Sequence, residues 1–187
     1  MEKFQLSGEL RADLGKKATK ETRANGLIPC VLYGGGEVKH FTVKEGDVRK
    51  LIYSPNVYVV ELTIAGKTVT AILKDLQVHP VKDNILHIDF LEITDKKPVV
   101  IEIPIKLEGL AEGVKLGGKL SQQMRKLRVK GIYTNFPDRL IVNVENLGIG
   151  KSIQVGALSY ENLELLNNPI NVVATVKATR GSRANAE

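Results

Sequence analysis

The stretch LGKKATKETRANGLIPCVLYGGG, Leu14 to Gly36, sets a glycine–lysine pair at one end and three glycines at the other, with a short apolar run between. Lys17 to Asn25 contains no helix breaker and lies between Gly15 and Gly26, which predicts a helix closed by Gly26 in the left-handed conformation. Ile28-Pro29-Cys30-Val31-Leu32-Tyr33 reads as a strand, and Gly34-Gly35-Gly36 as a loose hairpin turn leading to another strand. A phosphate-gripping P-loop needs a glycine five residues before the Gly-Lys pair and a Ser or Thr after it. Here those places hold Leu10 and Lys17. The triple glycine leads into a strand, so no helix N-terminus faces it. The stretch therefore spells helix, strand and turn, with no nucleotide cradle.

Outward from it, period-two alternation dominates. Phe4, Leu6 and Leu10 alternate with polar residues, Gly8 standing in register between them. Val57–Ile64 and Thr68–Leu73 form a hairpin across Ala65-Gly66-Lys67. Ile85–Ile93, Val99–Leu107, Leu140–Val144, Ser152–Val155 and Ile170–Val176 read as further strands. A second short helix is expected from Asp47 to Tyr53, stopped by Ser54-Pro55. The polar segment Thr94-Asp95-Lys96-Lys97-Pro98 separates two strands and marks a boundary. The reading is mainly β, with domains at 1–94 and 95–178 and a flexible tail at 179–187.

The chain has 187 residues, enough for two small domains. No apolar run approaches the roughly 20 residues of a membrane span, and the N-terminus has no apolar signal segment. The single cysteine, Cys30, excludes an internal disulfide and reads as a core residue. A cytoplasmic protein with no membrane partner is expected. With 5% aromatics and no Trp, broad stacking platforms for bases are not expected either. The net charge of +6 is uneven: residues 1–94 hold 13 basic and 12 acidic side chains, residues 95–187 hold 14 and 9. In the first half the cations gather at Arg11, Lys16, Lys17, Lys20 and Arg23. In the second, Lys115, Lys119, Arg125, Lys126, Arg128 and Lys130 run without an acid between them. Clustered cations on a nearly neutral background suit a polyanion.

Two chemistries compete for the polar residues. His79, His87 and Asp89 are chemically adequate for zinc, but their spacing matches no ligand motif. No nucleophile is paired with a base, so neither catalysis nor a cofactor is expected. RNA fits better. Lys16, Lys20 and Arg23, at i, i+4 and i+7, share a helical face and can follow a phosphate ridge, with Glu21 on a different side. Gln77, His87 and Asp89 stand on strand faces, where they can meet base edges or 2′-hydroxyls.

The separated blocks Arg11-x3-Gly15-Lys16-x-Ala18-Thr19-x3-Arg23-x2-Gly26-x-Ile28-Pro29-x-Val31-x-Tyr33-Gly34 and Asp75-x-Gln77-x-His79-Pro80, then His87-Ile88-Asp89-Phe90, resemble a bacterial ribosomal family. It is the large-subunit protein numbered twenty-five, whose long members are called general stress protein CTC. The second half resembles the long form's extra domain through Pro104-x2-Leu107-x-Gly109-x3-Gly113-Val114-x2-Gly117-Gly118, Arg125-x-Leu127-x-Val129, Phe136-Pro137 and Leu147-x-Ile149-Gly150-x-Ser152-Ile153.

The resemblance implies an N-terminal six-stranded β-barrel with short helices that binds 5S rRNA, followed by a second β-rich domain. It implies a non-enzymatic, ribosome-associated component of the large subunit. A monomer off the ribosome is expected, and the basic segment Lys115–Lys130 is expected to touch RNA or a neighbouring ribosomal protein. Carried onto matching positions, it makes Arg11, Lys16, Thr19, Arg23, Tyr33, Gln77, His87 and Asp89 RNA contacts. Lys20 joins them from the helical stripe. Glu21 and Val78 depart from the family's pattern, which more often has cations there. The alternatives are a stress-related RNA-binding protein acting off the ribosome and a metal-dependent hydrolase centred on His79, His87 and Asp89.

Overall fold

The computed structural model describes residues 1–95 and 97–179. The tail expected at 179–187 falls, beyond Thr179, outside the described residues. The chain separates into two compact units, Met1–Lys97 and Pro98–Glu187.

The first unit is a closed barrel of β1 (Glu2–Leu10), β2 (Leu27–Tyr33), β3 (Lys39–Lys44), β4 (Tyr58–Ile64), β5 (Lys67–Val78) and β6 (Ile85–Glu92). The strand order is β1-β3-β2-β6-β5-β4. Parallel pairing of β1 with β4, from Glu2 opposite Tyr58 to Gly8 opposite Ile64, closes the ring. Closure leaves no unpaired edge, and a barrel this small is filled by its own inward side chains. Alternation decides which those are: Leu6, Ile28, Cys30, Leu32, Phe41, Val43, Val60, Leu62, Ile88 and Phe90 all belong to one buried cluster. Helix α1 (Lys16–Ala24) lies on the surface against β2, while α2 (Glu45–Tyr53) adds Val48 and Leu51 to the core. Gly26 closes α1 at φ 71° in the left-handed region, donating its N–H to Arg23.

Two local devices set register. Ile64 pairs with Lys67, so the β4–β5 hairpin turns on Ala65-Gly66 alone, at φ 48° and 76°. Positive φ at both positions is the turn whose twist matches paired strands. A bulge then breaks β5 between Leu73 and Asp75. Leu73 packs on the core before it and Leu76 after it, so one extra residue, Lys74, exchanges the two faces of the strand. Asp75 and Gln77 stand outside the barrel for this reason. The expected strand end at Leu73 is this break in parity; the strand itself continues to Val78.

The second unit holds β7 (Val99–Glu108), α3 (Glu112–Lys115), β8 (Lys119–Gln122), β9 (Lys126–Gly131), β10 (Leu140–Asn143), β11 (Ser152–Gln154), β12 (Glu164–Leu165) and β13 (Val172–Lys177). One sheet runs β10-β7-β9-β12 and a second β11-β13-β8. The basic run found in the sequence is partly strand: Leu127 and Val129 of β9 are buried, and Lys126, Arg128 and Lys130 alternate with them.

Gly8 tests the barrel's packing. A Cβ there would lie 2.5 Å from Cδ2 of Phe41, the fully buried ring that stacks at 5.8 Å on Phe90. Gly8→Ala should therefore overpack the core and destabilise the barrel by about 1–3 kcal/mol, read by urea unfolding of the full chain.

Candidate nucleic-acid interface

Neighbouring strands bring the polar residues into one patch. Gln77 of β5 is opposite His87 of β6, and Asp75 is opposite Asp89. Asp89 is in turn paired with Val31 of β2, and Val31 with His40 of β3. Buried Ile88 and Phe90 flank Asp89 in sequence, so His87 and Asp89 face outward. Tyr33, two residues on from Val31, shares that face. His40 and Asp75 complete the row; Asp75 stands two residues before Gln77 in the block Asp75-x-Gln77-x-His79-Pro80, whereas His40 has no local spacing to distinguish it and joins only through barrel pairing.

His87 and Asp89 are joined, Nδ1 to Oδ1, at 2.7 Å, with 27% and 29% of their side chains exposed. A carboxylate cannot donate, so Nδ1 carries the proton and Nε2 is left facing out. Tyr33 titrates above the usual phenol range, first because of burial and then because the Asp89 and Asp75 charges oppose a phenolate. Its hydroxyl therefore stays a donor. Inside the barrel, burial pushes the Cys30 thiol up as well, and 1% exposure keeps it inert.

The helix side is held by two arginines. Arg11 extends β1, its N–H donating to the His40 carbonyl at 3.0 Å. Its Nη2 donates to the Asp13 carbonyl at 3.1 Å and to Thr19 Oγ1 at 3.3 Å. The Thr19 hydroxyl is already donated to the Gly15 carbonyl at 2.7 Å, so it orients Arg11 by accepting. At the far end of α1, Arg23 Nε and Nη2 both donate to the Leu86 carbonyl, at 3.0 and 2.8 Å. Two residues expected at phosphates are thus also clamps on the helix. Lys16 and Lys20 are fully outward. At about 100° per residue, half-buried Ala18, Thr19 and Thr22 make the packed side of α1. Lys16, Lys20 and Lys17 make the outer one, with Glu21 at its margin beside Lys17.

The metal alternative does not assemble. His79 Nδ1 accepts from the Val81 and Lys82 N–H groups, both at 3.2 Å, and shapes the β5–β6 turn. His87 Nδ1 is engaged by Asp89. Among the described residues no three His, Cys, Asp or Glu side chains converge as metal ligands, and no helix is long and apolar enough to cross a membrane.

Residues 6–90 match a family model described as Ribosomal L25p family, and residues 98–180 match one described as Ribosomal protein TL5, C-terminal domain. A protein of Azobacteroides pseudotrichonymphae named large ribosomal subunit protein bL25 is 60% identical, covering 98% of both chains. Proteins of the same name are 59% identical in Bacteroides fragilis, over 91% of this chain and 87% of that one, and 54% identical in Porphyromonas gingivalis, over 100% and 98%. With a closed barrel under the first match, a β-rich unit under the second and such identity along its length, this chain belongs to the bL25 family of large-subunit ribosomal proteins.

Proposed function

We propose that this chain is a non-enzymatic component of the large ribosomal subunit whose barrel, residues 1–94, binds and stabilises 5S rRNA. The observation that carries this is the side-by-side placement of a cationic helix and a polar strand face on a barrel whose interior is filled. Lys16 and Lys20, in no ion pair among the described residues, offer ammonium groups to phosphates. Arg11, oriented by Thr19, and Arg23, anchored on Leu86, keep further N–H donors for the same backbone. Tyr33 donates its hydroxyl to phosphate or 2′-OH. Gln77 can both donate and accept. His87, held by Asp89, presents Nε2 to a base edge or sugar. Phosphate contacts fix position on the RNA, and the strand face discriminates. Family membership supports the ribosomal setting over a role on RNA elsewhere. Residues 95–178 form a second interacting domain of the same assembly.

Titration of 5S rRNA with the full chain at several salt concentrations tests this reading. Binding should exceed that of an arbitrary RNA hairpin and fall steeply with salt. Lys16→Gln with Lys20→Gln should make the slope of log K against log salt shallower by about 1.5–2. Equal affinity for 5S rRNA and the hairpin at physiological salt would reject it.

Asp89 gives a sharper test because its charge has the wrong sign for a phosphate contact. Asp89→Ala should weaken 5S rRNA binding by about 1–2 kcal/mol with the salt slope unchanged, since it removes the acceptor that holds the His87 ring. Tighter binding by that variant would show that Asp89 is merely repelled by the RNA.

A further inference from the structure

The second unit distributes its cations unequally between its two sheets. On the β10-β7-β9-β12 sheet two of them are answered across strands. Arg128 stands opposite Glu102 and bonds it at 3.3 Å; Lys130 stands opposite Glu164 and bonds it at 2.9 Å. The β11-β13-β8 sheet has no such partners. Residues 115–131, 150–159 and 168–179, which contain all three of its strands, include no Asp or Glu.

On that sheet Lys119 of β8 is directly opposite Lys177 of β13. Both are exposed, and among the described residues neither is in an ion pair. Like charges directly opposite destabilise a sheet, so the fold gains nothing from this pair. An anion lying between two such ammonium groups would turn the repulsion into binding. The same face continues in hydroxyls. Thr175 lies two residues before Lys177 and is paired with Ser121 on one side and Ser152 on the other. Ser152 and Thr175 line an open cleft of about 550 Å³ with Gln123, Met124, Asn171 and Val172. Lysines beside a row of hydroxyls and side-chain amides are the groups that sugar–phosphate backbones use, with Thr175, whose own hydroxyl is donated to the Lys151 carbonyl at 3.1 Å, as an acceptor for a 2′-hydroxyl.

We propose that the polar face of the β11-β13-β8 sheet is a second nucleic-acid surface, which takes an RNA sugar–phosphate backbone with Lys119 and Lys177 as its phosphate contacts. The proposal rests on the ribosomal reading above but not on the barrel's contacts. An RNA strand matches this face better than an acidic protein segment does, because its 2′-hydroxyls and phosphates use the hydroxyl and amide groups as well as the cations.

The test is rebinding of the full chain to large ribosomal subunits stripped of this protein, measured over a series of salt concentrations. Lys119→Gln with Lys177→Gln should weaken rebinding about tenfold near 0.1 M salt and lower the salt slope by about two. Lys119→Arg with Lys177→Arg should restore both. Arg128→Gln with Lys130→Gln removes equal charge from the other sheet and should change affinity less than twofold. Wild-type behaviour of the Lys119/Lys177 variant would overturn the proposal. So would weakening with an unchanged slope, the signature of a protein partner at this face. Failure of the barrel reading would look different: Lys16→Gln with Lys20→Gln would then leave rebinding intact while the sheet variant still weakens it.

Discussion

Helix α1 buries none of its residues completely, and nine residues are too few for a helix to persist in water without tertiary support. What holds it is polar. Two hydrogen bonds run from the Arg23 guanidinium to the Leu86 carbonyl, and one runs from Arg11 to Thr19 at the opposite end. A hydrogen bond from a charged donor contributes on the order of 1.5–3 kcal/mol when shielded and less at an exposed site. Even the lower end is enough to choose where a short helix lies. Leu86 immediately precedes His87, so the same bonds that seat the helix set its cations beside the strand face. The proposed RNA surface is assembled from two elements and needs such a bolt, and here the bolt is itself a cation.

The strand face depends on a second constraint, the closed ring. Once β4 pairs with β1, each strand has one face committed to the core, and the polar residues are those that remain outside. The bulge at Lys74 exploits this rule. By shifting parity once within β5, it keeps Leu73 and Leu76 both on the core while turning Asp75 and Gln77 outward opposite Asp89 and His87. Were the strand regular, with Lys74 paired in its turn, Gln77 would share a face with Leu73 inside the barrel. Ion pairs such as Lys3–Glu61, 2.7 Å apart on the exposed surface, decorate this arrangement and contribute little to its stability.

Much of the fold was legible because period-two alternation and glycine placement are local signals. Gly26 closed its helix as expected, and the Ala65-Gly66 turn followed from its flanking strands. The two expected helices were displaced by only one or two residues at their starts, whereas the single turn of α3 was not foreseen. Harder to see was anything created by pairing between distant strands. His40 carries no local mark of the patch it joins. The strand character of Lys126–Gly131 was hidden by a cation at every second position, because a basic run and a half-buried strand coincide when the buried residues are only Leu127 and Val129. For the candidate site, the residue types were readable but the division of labour was not. Sequence assigns Arg23 and Thr19 to the RNA, and only the coordinates reveal that both also hold the helix together.

Whether Arg23 serves the proposed RNA surface mainly by seating α1 is tested most directly by Arg23→Ala, because alanine raises intrinsic helix propensity. Amide hydrogen exchange across residues 19–26 should be read alongside 5S rRNA affinity for Arg23→Ala and Lys20→Ala. Faster exchange throughout the helix, with an affinity loss clearly larger than that of Lys20→Ala, is the result expected of a bolt. Unchanged exchange and an affinity loss equal to that of Lys20→Ala would contradict it and make Arg23 one phosphate contact among several.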